Sequence, residues 1–124
     1  MQRLRYLPVM MVMGSIFFLS HQPGDSFAQL PGFPGLDKLV HAGIYAVLAW
    51  ASCLAHPDSS SGLRHGLQIT AFCLLYGISD EFHQAFVPHR SPSLLDLGAD
   101  GLGASFAVVL WHRWRRRHLR GLSL

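Results

Sequence analysis

The chain has 124 residues, of which 50% are apolar and only 14% charged, with a formal net charge of +3. A soluble domain usually carries about a quarter of its residues as charged ones, and its helices need a polar outer face that long stretches of this chain lack. The composition therefore excludes an ordinary soluble domain and points to helices whose solvent is lipid.

A helix that crosses about 30 Å of hydrocarbon needs roughly 20 mostly apolar residues. Apolar runs at 4–20, 39–55, 66–78 and 94–111 approach that length. They predict an all-α integral membrane bundle of four transmembrane helices, at 4–20, 37–55, 65–84 and 94–112, forming a single domain over 1–124 without internal repeats. The first run follows Arg3 and Arg5 and, with Ser26-Phe27-Ala28 downstream, imitates a secretory signal peptide. Ala28 lies well past the end of that run at Leu19, beyond the polar Ser20-His21-Gln22-Pro23-Gly24-Asp25, so the run is expected to stay as a helix. Asp37 is well placed to cap the second helix. The third run is the shortest, and it is expected to continue through the polar stretch 79–84 in protected surroundings. The fourth opens on Ser93-Leu94-Leu95-Asp96, which has capping-box spacing. Its Ala99, Gly103 and Ala107 supply a small surface for close helix packing. Cys53 and Cys73 lie inside runs and read as small apolar residues.

Loop cations orient such a bundle, since Lys and Arg accumulate on the cytoplasmic side. With the N-terminus inside, the inner cations are Arg3, Arg5, Arg64, Arg113, Arg115, Arg116, Arg117 and Arg120, against Lys38 and Arg90 outside. Eight against two predicts both termini inside, with 22–36 and 85–93 outside and 56–65 inside. The tail Arg113-Trp114-Arg115-Arg116-Arg117 follows an apolar span directly, so it is expected to anchor the helix to anionic headgroups, with no nucleic acid as partner.

In this orientation Asp37, Asp80, Glu81, Asp96 and Asp100, five of the seven acidic residues, gather at the outer face. Lys38, His41, His83, Gln84 and Arg90 lie at the same level. Residues three or four apart share a helix face, so Asp37 with His41, Asp80 with His83 and Gln84, and Asp96 with Asp100 form polar stripes on three helices. A carboxylate inside a span costs about 2.5–3.5 kcal/mol on insertion scales, which obliges such stripes to face one another or a shared cavity. The competing structural readings are caps for Asp37 and Asp96, ion pairs for Glu81, Arg90 and Lys38, and an interhelical hydrogen bond for His41. Asp100 lies two turns into its span, beyond the reach of a cap.

Asp37-Lys38-Leu39-Val40-His41, then Tyr76-Gly77-Ile78-Ser79-Asp80-Glu81-Phe82-His83-Gln84, then Val87-Pro88-His89-Arg90-Ser91, then Asp96 and Asp100-Gly101-Leu102-Gly103 closely resemble the VanZ-like family in order and spacing. The resemblance runs from about Phe17 to Leu110 and includes the exit Leu19-Ser20-x-Gln22-Pro23 of the first helix. It implies a small multi-pass protein of the bacterial cytoplasmic membrane, in a family that takes its name from a protein linked to teicoplanin resistance. His89 stands where the family usually has Gly before the Arg, and Ala107 where a further Gly is common. The first departure alters the outer loop. The carry-over to Asp37, Lys38, His41, Asp80, Glu81, Gln84, Arg90, Asp96 and Asp100 as ligand-binding residues survives both.

The expected function is an envelope protein whose outward-facing polar pocket binds a lipid or cell-wall-precursor headgroup, with Arg90 and Lys38 on the anion. The partners would be membrane lipids and a lipid-linked precursor. The alternative is an intramembrane enzyme in which Glu81, His41 or Asp100 is catalytic, with Glu81 or His41 as general base, alone or beside a metal. A third reading makes the polar residues a structural lock. No ligand motif such as His-Glu-x-x-His is present, so neither a metal nor another cofactor is expected.

Overall fold

A computed structural model describes residues 2–21, 36–56, 62–88 and 93–122, with the side chains of residues 2, 36 and 37 outside the described residues. After a 3₁₀ turn at Gln2–Tyr6 come four helices: α1 (Leu7–His21), α2 (Leu36–Ala55), α3 (Leu63–Gln84) and α4 (Leu94–Leu122). The described residues contain no strand. Three stretches, Arg3–His21, Lys38–Ala55 and Leu94–Leu122, are long and apolar enough to cross a membrane. α3 is a continuous helix of 22 residues, about 33 Å at the usual rise, and the polar stretch 79–84 does extend it.

Side-chain contacts fix the helix directions. Between α2 and α4 the pairs Lys38–Asp96, His41–Asp100 and Trp50–Trp111 follow one another in the same order, so the two helices run parallel. Between α1 and α3 the pairs Met13–Tyr76 and Ser20–Gln84 do the same. α3 runs against α4, since Gly77 meets Asp100 near the start of α4 while Gly66 meets Val108 and His112 further along. The bundle is therefore up-down-up-down, and the end of α1, the start of α2, the end of α3 and the start of α4 share one end of the molecule.

α2 and α4 form the most extensive interface. Its small residues decide that: Ala99, Gly103 and Ala107 are all buried, and a methyl built on Gly103 would overlap the Ala42 backbone carbonyl. Two helix backbones approach this closely only where one lacks a side chain. The apolar core lies below the polar end and includes Leu48, Ala49, Cys53, Cys73, Ala104 and Val108. Both cysteines are free and buried, in keeping with an apolar role.

Burial is inverted relative to a soluble protein. Asp100 is 0% exposed, whereas Leu102 and Phe106 on the same helix are 74% and 64% exposed. Large apolar side chains on the outside and carboxylates within are the arrangement that a lipid solvent stabilises.

Two expectations need correction. α4 continues ten residues past 112, to Leu122: the basic residues are good helix formers, they complement the negative C-terminal end of the helix dipole, and no glycine intervenes before Gly121. α2 starts one residue before Asp37, which makes Asp37 the second helical residue instead of the cap.

Candidate functional site

The shared end of the bundle is built from the last turn of α1, the first turns of α2 and α4, and the last two turns of α3. Gly77 creates the space at its floor. A methyl there would lie 3.0 Å from Asp100 Oδ2 and 3.1 Å from Leu97 Cδ1, so the missing side chain is what lets α4 bring its carboxylate against α3.

Asp100 is fully buried, and His41 Nδ1 lies 3.0 Å from its Oδ1. One turn above, Lys38 Nζ pairs with Asp96 Oδ1 at 2.9 Å. The two links repeat at i and i+3 on α2 and at i and i+4 on α4, as parallel helices in register require. On α3, Asp80, Glu81 and Gln84 are buried together. The Gln84 amide donates to Ser20 Oγ at 3.3 Å and to Asp80 Oδ2 at 3.5 Å, tying α1 into the same end. Above this layer the His21 and His83 rings stack, 3.4 Å apart between ring nitrogens.

Glu81 has a role that its position in sequence does not disclose. Its Oε2 accepts the Ser93 backbone N–H at 2.8 Å. Ser93 is the N-cap of α4: its hydroxyl accepts the Leu95 N–H at 3.2 Å and its carbonyl the Leu97 N–H at 3.3 Å. The expected capping box is thus only half formed. In a capping box Asp96 would return to the Ser93 N–H, but Asp96 is turned to Lys38, and a carboxylate from another helix takes its place.

Donor atoms of His41, Glu81 and Asp100 all lie within 4.8 Å of one another. Among the described residues, Glu81 Oε1 and Asp100 Oδ2 are buried without a hydrogen-bond partner. So is the hydroxyl of Tyr45, which is 1% exposed. Sequence reasoning missed Tyr45, although it lies four residues after His41 and so on the same face of α2. It also missed Ser20 as a partner of Gln84.

Of the residues expected to form the site, Lys38, His41, Asp80, Glu81, Gln84, Asp96 and Asp100 are brought to one end of the bundle. Gln84 reaches Ser20 and Asp80. Asp37 stands in the first turn of α2 with its side chain outside the described residues, and Arg90 lies outside them altogether.

An all-helical fold with membrane-spanning helices and a buried polar cluster at one end defines a small multi-pass membrane protein. The model of the VanZ/LLP1 family matches residues 6–115, and the chain belongs to that family. No curated protein and no solved structure matches the chain.

Proposed function

We propose that this VanZ-like protein spans the bacterial cytoplasmic membrane four times with both termini inside, and that its polar end is an outward-facing pocket for the headgroup of a lipid or lipid-linked cell-wall precursor. Occupying such a precursor is how it would contribute to resistance against glycopeptides such as teicoplanin. The observation that carries the reading is the convergence of His41, Glu81 and Asp100 from three helices, with buried carboxylate oxygens left unpartnered among the described residues. Burying carboxylates in a membrane protein costs several kcal/mol unless partners compensate. A purely structural lock gains most when every polar atom is satisfied.

Lys38, expected on the anion, is held by Asp96 at 2.9 Å. The described cluster is rich in carboxylates, which favours recognition of hydroxyl and amide groups of the headgroup over direct contact with its phosphate.

Native mass spectrometry of the protein released from bacterial membrane extracts tests the proposal. The wild type should retain a lipid-sized adduct that Asp100→Asn and His41→Gln lose while staying folded. Equal adducts on all three proteins would refute pocket binding.

One feature favours an enzymatic alternative. Asp100 bound at Nδ1 would hold the His41 proton on that nitrogen and leave Nε2 as a base. Turnover of a labelled lipid-linked substrate, absent in His41→Gln, would distinguish catalysis from binding.

A further inference from the structure

We infer that His41, Glu81 and Asp100 form a site for one divalent transition-metal cation, of the Mn²⁺ or Zn²⁺ class. The three residues come from α2, α3 and α4, and one donor atom from each lies within 4.8 Å of the other two. Donors on neighbouring positions of such an ion stand about 3 Å apart, and donors on opposite positions about 4.2–4.4 Å apart, given metal–ligand distances near 2.0–2.2 Å. The 3.0 Å hydrogen bond between His41 Nδ1 and Asp100 Oδ1 already holds two of the three residues together. A separation at the 4.8 Å limit exceeds the opposite-ligand spacing by only a few tenths of an ångström.

Three acidic or imidazole groups in proximity do not make a metal site alone. The second observation is the state of the carboxylates. Asp100 is fully buried and Glu81 is 8% exposed, yet Asp100 Oδ2 and Glu81 Oε1 have no hydrogen-bond partner among the described residues. Their other oxygens are committed, Asp100 Oδ1 to His41 and Glu81 Oε2 to the Ser93 N–H. Each carboxylate is thus oriented by one oxygen while the other remains available, the arrangement in which surrounding hydrogen bonds aim metal ligands. Gly77 keeps space open beside Asp100 Oδ2.

Charge points the same way. A divalent ion neutralises Glu81 and Asp100 together. One imidazole with two carboxylates is a mixed nitrogen and oxygen set, suited to Mn²⁺ or Zn²⁺ and poorly suited to the soft ions that favour thiolates. The bound cation would also supply the positive charge that an anionic headgroup requires. The site stands on its own geometry whether or not a lipid binds.

The test uses the full, untagged chain in detergent, stripped with a chelator, dialysed and loaded with Mn²⁺ alone. The expected result is one tightly held ion per chain whose electron spin-echo spectrum shows coupling to an imidazole nitrogen. His41→Gln should abolish the nitrogen coupling. Glu81→Gln, which keeps an oxygen for the Ser93 N–H, and Asp100→Asn should each weaken binding at least tenfold, while His65→Gln, whose ring packs on His112 away from the cluster, should bind as the wild type does. Absence of tight Mn²⁺ and Zn²⁺ binding by the folded wild type would overturn the proposal. So would nitrogen coupling that persists in His41→Gln, which would place the ion on other histidines. Because the wild-type result decides the first point by itself, a variant that fails to fold does not shelter the proposal. Metal binding without a lipid adduct would keep this site and reject the headgroup reading.

Discussion

Glu81 and Asp100 illustrate how one carboxylate can serve two ends. Glu81 satisfies the first backbone donor of α4 through one oxygen and offers the other to the cluster. Removing the acceptor in Glu81→Ala should cost about 1 kcal/mol of helix-capping stability, whereas Glu81→Gln should keep most of it. Thermal unfolding in detergent checks this, and equal midpoints for the two variants would show that the Ser93 contact contributes nothing. Asp100→Asn separates structure from function in the same way. The amide can still bond to His41 and avoids the desolvation cost of a buried charge, so abundance should stay within about twofold of wild type. Any envelope or glycopeptide phenotype that follows deletion of the gene should nevertheless be lost. A wild-type phenotype at wild-type abundance would refute a functional carboxylate at this position.

At the scale of elements, the parallel α2–α4 pair is the frame on which the site depends. Its registration rests on small residues below and polar links above: Gly103 admits the Ala42 backbone, while His41–Asp100 and Lys38–Asp96 set the vertical alignment. Backbone cannot move aside as a flexible side chain can. Gly103→Ala is therefore expected to destabilise by roughly 1–3 kcal/mol, as overpacking of a tight interface does, and to reduce accumulation in the membrane. Gly43→Ala, with nothing within 4 Å of the new methyl, is the matched control and should accumulate normally. If both behave alike, close approach of α2 and α4 is not what holds the bundle.

For the whole molecule, the inverted burial fits a lipid surround, and the direction proposed for the bundle rests on its loop cations. In the proposed topology the cation ratio of eight to two puts the polar end outside. Reporters fused after Leu124 and within 58–62 should read cytoplasmic, and those within 29–35 external. An external reading at the C-terminus would reject the four-span topology and with it an outward-facing pocket. α3 is the helix most exposed to this test, since it is not among the stretches apolar enough to span by composition. In the proposed four-span topology its crossing would depend on Asp80, Glu81 and Gln84 being sheltered by the other helices, and all three are buried here.

Helix number, the all-α class and the presence of polar stripes were legible in the chain itself, because a lipid solvent imposes a one-dimensional rule: an apolar run long enough to span, with few charges inside it. The motif residues that mark the family are short-range patterns and were equally legible. Which stripe meets which was not, because helix rotation and register are set by packing between segments far apart in sequence. Tertiary structure alone brought His41 to Asp100, turned Asp96 to Lys38 instead of the Ser93 N–H, gave that N–H to Glu81, and drew Tyr45 and Ser20 into the same end. The first of these rests on the close approach that Gly103 permits between α2 and α4 and on the space Gly77 leaves for Asp100. Sequence names these glycines, but only the packed bundle shows what fills the space they leave.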